Sequence, residues 1–492
     1  MNLSAKRTDR RGRFDRFGGM AALRIAALVV LFTSAGVIEA RQLSSLLLNE
    51  RDDVWWHLHA GTRILQEQSL PHDAISDSPD PASTGPSWGY DLLVATAFGI
   101  LDLRSFPALL MVFKLGLAVV TFLLAGGLRG RFWMAVALSA IAQYVLGTVP
   151  LGPGYCSILL FGIELIVLNR SRRTGSARPL FWLPVLFLAW ANLDVQFVYG
   201  MLLFAVFLAA SALRNFGSLL TGGPVEQSKS QKKPAPEKWA NTPSTVGMLV
   251  GLCVIASVVT PFAYHLYGVF LTEVSGAANQ YFADALPMRF RASEESLFLL
   301  LTMFAFVALG LRRSRDPFQI LLLAGCAMAS FHARRDAWLA VLAAIAVIAP
   351  VEKPEAGAAA DLALDRHVLI AAGLSVAILL LAITLRIPRQ NELLARVGKT
   401  YPVAAGNYLR ENQMLMPLLT SYEWGGFLLW YLPDSALAIS GRANVLYAEY
   451  PGVNQAGTLL VQRNSRMGQA LIGQAALRIS YSDSLSVVLV KR

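Results

Sequence analysis

Apolar blocks of membrane-spanning length recur from about residue 20 to residue 386, and no other feature of the chain constrains its fold so strongly. A run of about 20 apolar residues matches the thickness of a bilayer's hydrocarbon core. In that solvent a single chain segment must satisfy its backbone N–H and C=O groups internally, which selects the helix. Composition agrees: 55% of residues are hydrophobic and 15% charged, against roughly 25% charged in soluble domains. A soluble enzyme is excluded. The net charge of +11 is read as membrane topology, because Lys and Arg are retained on the cytoplasmic side; no nucleic-acid partner is expected.

Charge then orders the blocks. Lys6, Arg7, Arg10, Arg11, Arg13 and Arg16 precede the first apolar run, 20–38. That run is longer than a signal-peptide core and lacks a convincing cleavage site, so residues 1–19 read as a cytoplasmic tail before an uncleaved anchor. Residues 41–106 then form a long outer loop. The block from Tyr90 to Arg131 is divided into an interfacial helix, 91–103, and a single span, 107–124, because two spans here would put every later arginine cluster on the wrong face. Further spans are expected near 132–148, 154–169, 180–195, 197–213, 244–262, 296–311, 317–331, 337–350 and 367–386, giving about eleven in all. Residues 217–243 read as a polar, Pro-rich cytoplasmic linker.

The expected fold is therefore an all-α polytopic membrane protein, embedded in the inner (plasma) membrane over residues 20–386. A small extracytoplasmic α/β appendage follows at 387–492. In that appendage "YPVAAGNYLREN" reads as a helix, "ALAIS" and "SLSVVLVKR" as strands, and "SYEWGGFLLWYLPDS" as aromatics around turn glycines. Cys156, Cys253 and Cys326 lie inside apolar blocks and read as small hydrophobes.

The chemistry concentrates in the first outer loop, "NERDDVWWHLHAGTRILQEQSLPHDAIS". Val54 to Gln68 reads as a helix that starts after Asp53 and stops before Pro71. Trp55, Leu58 and Leu65 form an apolar stripe that would lay it on the membrane, with tryptophan at headgroup depth. Asp53 suits a helix N-cap. Capping does not account for both Asp52 and Asp53, since adjacent carboxylates at a low-dielectric border need a cationic or reactive counterpart. Asp53 and His57, four apart, face the same side, whereas His57 and His59 do not. A divalent ion on Asp52 or Asp53 with Asp73 stays open, and no other metal site is expected. Trp55, Trp56, His57, Asp73 and Trp88 supply aromatic faces and polar groups that suit a sugar. Arg289, Arg291, Arg334 and Arg335 break the topological charge pattern, falling on the same face as the aspartates. Such residues are functional candidates or lipid-headgroup ligands. Lys114 is a weaker candidate within a span. Glu164 and His265 are expected to be structural.

These residues carry a family resemblance. "DDVWWHLHAGTRILQEQSLPHDAIS", "LAWANLDVQFVYG", "TPFAYHLYGVF", "ARRDAWLAVLAAIAVIAP" and "YEWGGFLLWYLPDSALAISGRANVLY" resemble a bacterial branch of polytopic membrane proteins placed near the C-type membrane glycosyltransferases, which use polyprenyl-phosphate sugars. Asp194 stands where that branch usually has His, and Ser440 where it usually has Asp. The resemblance implies an inverting transfer of a sugar from a polyprenyl-phosphate donor to a glycan, lipid or protein on the outer face. Asp53 or Asp52 would be the general base, and Arg334, Arg335 and Arg289 or Arg291 would hold the departing phosphate. The competing expectation is a non-catalytic protein that binds or moves a lipid-linked glycan.

Overall fold

The computed structural model describes residues 20–34, 54–68, 86–129, 131–220, 243–275, 286–349, 366–385, 387–414, 418–432, 437–440, 457–474 and 476–491. Among the described residues four helical stretches, Trp88–Leu124, Gly154–Thr174, Ser293–Leu311 and Arg366–Leu385, are long and apolar enough to cross a membrane. The chain is thus a polytopic, mostly helical membrane protein.

The elements follow in chain order. Helix α1 (Met20–Ser34) is followed by α2 (Val54–Glu67) and α3 (Trp88–Leu101). A 3-10 turn, Asp102–Arg104, separates α3 from α4 (Ser105–Leu124). Asp102 there has φ 50°, which breaks the apolar block where the sequence places the end of an interfacial helix. Pro107 falls in the first turn of α4, where its missing N–H costs no helical hydrogen bond. Next come α5 (Phe132–Val145), α6 (Gly154–Thr174), α7 (Leu183–Leu193), α8 (Phe197–Leu220) and α9 (Pro243–Val258). The sequence reading did not anticipate α10 (His265–Ser275). The bundle closes with α11 (Ser293–Leu311), α12 (Pro317–His332), α13 (Ala337–Ile348) and α14 (Arg366–Leu385).

Most of the other expected spans coincide with apolar helices of 10–17 described residues. Helix α13 differs in kind. Its 12 residues are apolar all round and buried from Trp338 to Ile348, and it packs against α4, α5, α6, α11 and α12. A helix with no polar face has to be enclosed. Helix α14 is the opposite case, with only 17% of its apolar window buried.

Two sets of contacts distinguish the ends of the bundle. At one, Arg172 near the end of α6 pairs with Asp316 at the start of α12. The Arg172 guanidinium also lies 4.9 Å over the Phe318 ring. Arg312, just past α11, donates to the Val347 and Ile348 carbonyls at 2.8 and 2.7 Å, capping the end of α13. At the other end, Ser157 of α6 bonds Asp194 beyond α7, Tyr199 of α8 bonds Asp336 ahead of α13, and Tyr144 of α5 bonds Ser293 of α11.

The C-terminal part begins with α15 (Gln390–Val397) and α16 (Val403–Glu411). It continues through β1 (Leu418–Ser421), α17 (Tyr422–Tyr431), β2 (Leu437–Ser440), β3 (Thr458–Gln462), α18 (Arg466–Ile472), β4 (Leu477–Ser482) and β5 (Ser486–Lys491). The sheet order is β2-β1-β3-β5-β4. Strand β1 is parallel to β2 and β3, and β5 is antiparallel to β3 and β4. The segment expected to turn at its glycines is instead the crossover helix α17, as the parallel β1–β2 pair requires. Strand alternation divides the apolar residues. Leu418, Leu460 and Val488 join the same core as the bundle, while Leu419, Leu459, Val461, Val487 and Leu489 form a second core on the opposite face. The sheet is consequently docked on the helices through one face.

Candidate functional site

Helix α2 is held between α3 and α17. It buries Val54, Trp55, Leu58, Ala60, Gly61 and Ile64. The expected stripe of Trp55, Leu58 and Leu65 is corrected here: Leu65 is 48% exposed, whereas Trp55 and Leu58 are 2% and 0% exposed. Trp55 is packed inside protein. Its ring meets Phe106, Tyr401 and Phe427 edge-on at 5.3, 5.7 and 5.1 Å and stacks on Trp430 at 4.9 Å. Trp56 closes on α17, where a Cβ at Gly426 would stand 2.9 Å from the Trp56 backbone nitrogen. On the other side, a Cβ at Gly61 would stand 2.0 Å from the Asp91 carbonyl oxygen. Glycine at both positions allows the backbones to approach.

A polar network starts beneath α2. His57 Nδ1 lies 2.6 Å from Asp91 Oδ1, a charge-assisted bond when the imidazole is protonated. The sequence sets His57 on the side of Asp53, which lies outside the described residues; among the described residues His57 reaches Asp91, 34 positions along the chain. The imidazole meets the Tyr90 ring edge-on at 5.0 Å and also acts electrostatically on Asp194. Asp194 is 4% exposed and follows the last residue of α7. It accepts from Ser157 Oγ at 2.5 Å, and Trp190 Nε1 donates to that same hydroxyl at 2.6 Å. Trp88 Nε1 donates to Asn192 Oδ1 at 2.9 Å, and Asn192 Nδ2 donates to the Val259 carbonyl at 3.0 Å. The "SWGYD" and "WANLD" segments are therefore one constellation.

The arginines gather at the same end. Arg334 Nε is 3.5 Å from Glu295 Oε1, and its Nη2 is 3.9 Å from Glu294 Oε1. The Arg291 backbone N–H donates to Glu295 Oε2 at 3.0 Å, and the Arg334 N–H donates to the Leu286 carbonyl at 3.1 Å. Arg289 and Arg291 are exposed and Arg335 is half-buried. Asp336, beside them, is 4% exposed and accepts from Tyr199 Oη at 2.9 Å. A run of ring contacts links this group to Asp194: Trp190 to Phe161 at 6.5 Å, Phe161 to Trp338 at 5.2 Å and Trp338 to Tyr199 at 6.0 Å.

Asp52, Asp53 and Asp73 lie outside the described residues, as does the divalent-ion site drawn on them. Among the described residues no three His, Cys, Asp or Glu side chains are grouped to hold a metal. Lys114 is buried and donates to the Gly147 carbonyl at 2.9 Å, tying α4 to the loop after α5. Glu164 is fully buried between α6 and α8, with Oε2 2.7 Å from where a Gly200 Cβ would stand. His265 stacks on Tyr264 at 4.2 Å at the start of α10. The sequence reading did not single out Asp91, Asp336 or Ser157, and noted Asp194 only as a departure. Their signal was an acidic residue inside or abutting an apolar block, which is costly there without a partner or a role.

No protein-family profile matches the chain, and no curated protein matches it in sequence. A solved structure of ArnT from Cupriavidus metallidurans bound to undecaprenyl phosphate is similar over 94% of this chain and 97% of that one, with 13% identity and a TM-score of 0.44. At that score the likeness does not by itself establish a shared fold.

Proposed function

We propose that the protein is a membrane glycosyltransferase that moves a sugar from a polyprenyl-phosphate donor to an extracytoplasmic acceptor, with inversion. The observation that carries the reading is the convergence, at one end of the bundle, of buried Asp91, Asp194 and Asp336 with exposed Arg289, Arg291 and Arg334. Helix α2, which directly follows the Asp52–Asp53 pair, is fixed on that end by the His57–Asp91 bond. The opposite end carries Arg170, Arg172, Arg173, Arg312, Arg313 and Arg315, and the excess of cytoplasmic Lys and Arg in membrane proteins supports placing that end in the cytoplasm. The carboxylates and the sheet-bearing C-terminal part then face outward.

In this reading Asp53 or Asp52 accepts the proton of an acceptor hydroxyl. The oxygen attacks the anomeric carbon from the side opposite the phosphate, and the carbon–oxygen bond to the polyprenyl phosphate breaks with its electron pair. Phosphate is a good leaving group, so a second catalytic carboxylic acid is not required, unlike ordinary glycoside hydrolysis. Arg289, Arg291, Arg334 and Arg335 supply donors for the departing phosphate, since a guanidinium fork matches its oxygens. Glu294 and Glu295 hold Arg334 in position meanwhile. Trp56, His57 and Trp88 stand beside the path of the sugar, and Trp55 braces them from within.

The test is sugar transfer in membranes supplied with polyprenyl-phosphate sugars, using Asp52→Asn and Asp53→Asn singly and together. Loss of transfer on removing one carboxylate, with donor binding retained, supports the assignment. Unchanged transfer in the double variant refutes it. Donor binding without any transfer by the native protein would instead select the non-catalytic lipid-glycan carrier, a reading favoured by the engagement of Arg334 with two glutamates.

A further inference from the structure

A second, separate polar site lies where the chain leaves its last apolar helix. Helix α14 ends at Leu385; Arg386 follows it directly in the sequence, and Arg389 stands immediately ahead of α15. The start of α15 packs on the 3-10 turn between α3 and α4, and a crevice of about 410 Å3 opens between them. Its walls are Ile100, Leu101, Asp102, Arg104, Arg389 and the first residues of α15, Gln390 and Asn391.

The donors in this crevice outnumber the acceptors. Arg104 uses Nε on the Pro388 carbonyl at 3.2 Å, which fixes the guanidinium and leaves its outer edge toward solvent. Arg389 makes no ion pair among the described residues and occupies the N-cap position of α15 without a side-chain cap. The uncapped first-turn N–H groups of that helix add positive potential. Gln390 and Asn391 add carboxamides. This set matches the oxygens of a phosphodiester. One group breaks the pattern: the Asp102 carboxylate lies in the same crevice, where it would repel a second negative charge but accept a hydrogen bond.

Apolar surface adjoins the donors. Ile100 and Leu101 are 75% and 42% exposed, and Leu385 is 78% exposed. With α14 largely uncovered along its length, the crevice stands at the border between acyl chains and water. We propose that it is the headgroup site of a glycerophospholipid whose phosphodiester is followed by a hydroxyl or ammonium donor. Arg104 and Arg389 take the phosphate oxygens, Asp102 takes the donor beyond them, and the acyl chains lie along Ile100, Leu101 and α14. The site does not depend on the glycosyl-transfer reading. It would anchor the junction between bundle and C-terminal part to the bilayer.

The experiment is native mass spectrometry of the full-length purified protein, exchanged into equimolar phosphatidylglycerol, phosphatidylethanolamine and phosphatidylcholine. Retention of the glycerol or ethanolamine lipid over the choline lipid is expected, with a roughly fivefold loss on Arg389→Ala, the scale of one surface cation against an anionic lipid. Arg178→Ala, an equal charge change at the other end of the bundle, should leave retention unaltered. Gln390→Glu is the second variant. An acidic residue in the first turn of α15 favours the helix, so the fold should be unharmed while lipid retention falls. Equal retention of all three lipids, or retention unchanged in both Arg389→Ala and Gln390→Glu, overturns the proposal. Displacement of the lipid by millimolar inorganic phosphate overturns it too, by marking a small-anion site.

Discussion

Gly61 is the position at which a single methyl group should do most to disturb the candidate site. A Cβ there would lie 2.0 Å from the Asp91 carbonyl oxygen, 2.5 Å from its carbon and 2.8 Å from the Ala95 Cβ. Two of those atoms are backbone of α3, so no side-chain rotation relieves the overlap. Ordinary contact begins near 3.4 Å, and α2 must therefore retreat by roughly 1.4 Å or tilt away. His57, one helical turn earlier, bonds Asp91 at 2.6 Å, and a displacement of that size breaks the bond. The loss is about 1.5–3 kcal/mol for a hydrogen bond to a charged group, and overpacking adds about 1–3 kcal/mol. Alanine regains about 1 kcal/mol of helix propensity. Gly61→Ala should thus cost about 1.5–5 kcal/mol, the balance of those three effects.

The assay is denaturation of the detergent-purified protein followed by tryptophan fluorescence, since Trp55, Trp56 and Trp88 border the disturbed contact. Gly99→Ala on α3 is the control, because a Cβ there meets nothing within 4 Å. It should be neutral or stabilising by up to about 1 kcal/mol. If Gly61→Ala and Gly99→Ala unfold together, the close approach of α2 and α3 is not what positions the outer-loop helix, and the reasoning fails. Glycosyl transfer, once an assay is in hand, should fall in Gly61→Ala and persist in Gly99→Ala.

His57→Ala should destabilise by about 1.5–3 kcal/mol, because it removes the hydrogen-bond partner of the buried Asp91 carboxyl. Adding Asp91→Asn should recover a large part, so a double-mutant cycle in the same denaturation assay reads a coupling of about 1.5 kcal/mol or more; additive losses would deny the pair. Gly200→Ala places a Cβ 2.5 Å from the Trp190 ring and 2.7 Å from Glu164 Oε2. It should cost about 1–3 kcal/mol by overpacking, and a melting midpoint equal to wild type would refute that packing. Arg334→Ala should change stability by under about 1 kcal/mol, because its ion pairs are long and its side chain is 42% exposed. The same variant should weaken donor binding in a lipid-sugar pull-down, an effect that Arg178→Ala should not reproduce.

Apolar block length was enough to read a mostly helical, polytopic membrane protein from sequence, though only four of the expected spans fall on described helices long and apolar enough to cross a membrane. The expected break near residue 103 coincides with the turn at Asp102–Arg104, and the helix expected at 54–68 is Val54–Glu67. Periodicity failed where two elements share one residue. The Trp55 stripe was assigned to lipid, because an apolar face reads alike whether its partner is a bilayer or another helix. The actual partners of Trp55 are far along the chain, Phe106 on α4 and Tyr401, Phe427 and Trp430 in the C-terminal part. The glycines of "YEWGG" misled for a related reason. Glycine serves a turn or a close approach equally well, and Gly426 serves the second by admitting Trp56.

The candidate site was half legible for a physical reason of its own. Arg334 and Arg335 announced themselves by violating the charge order, since a cation on the translocated face has to be held there by something. The buried carboxylates at the same end were hidden, because a buried acidic residue satisfied from a distant helix leaves no local pattern. Asp194 takes Ser157 from 37 positions away and Asp336 takes Tyr199 from 137 positions away. Those bonds also show how an aspartate is accommodated at position 194. A histidine there would face the Ser157 hydroxyl and the neighbouring His57 as a donor or second cation. The aspartate instead accepts from Ser157 and lies within electrostatic reach of the His57 imidazole. Asp194→His should therefore set two imidazoles against each other, and lose stability unless His57 is replaced as well. A double variant no better than Asp194→His alone, in the same denaturation assay, would show that the two positions do not share a field.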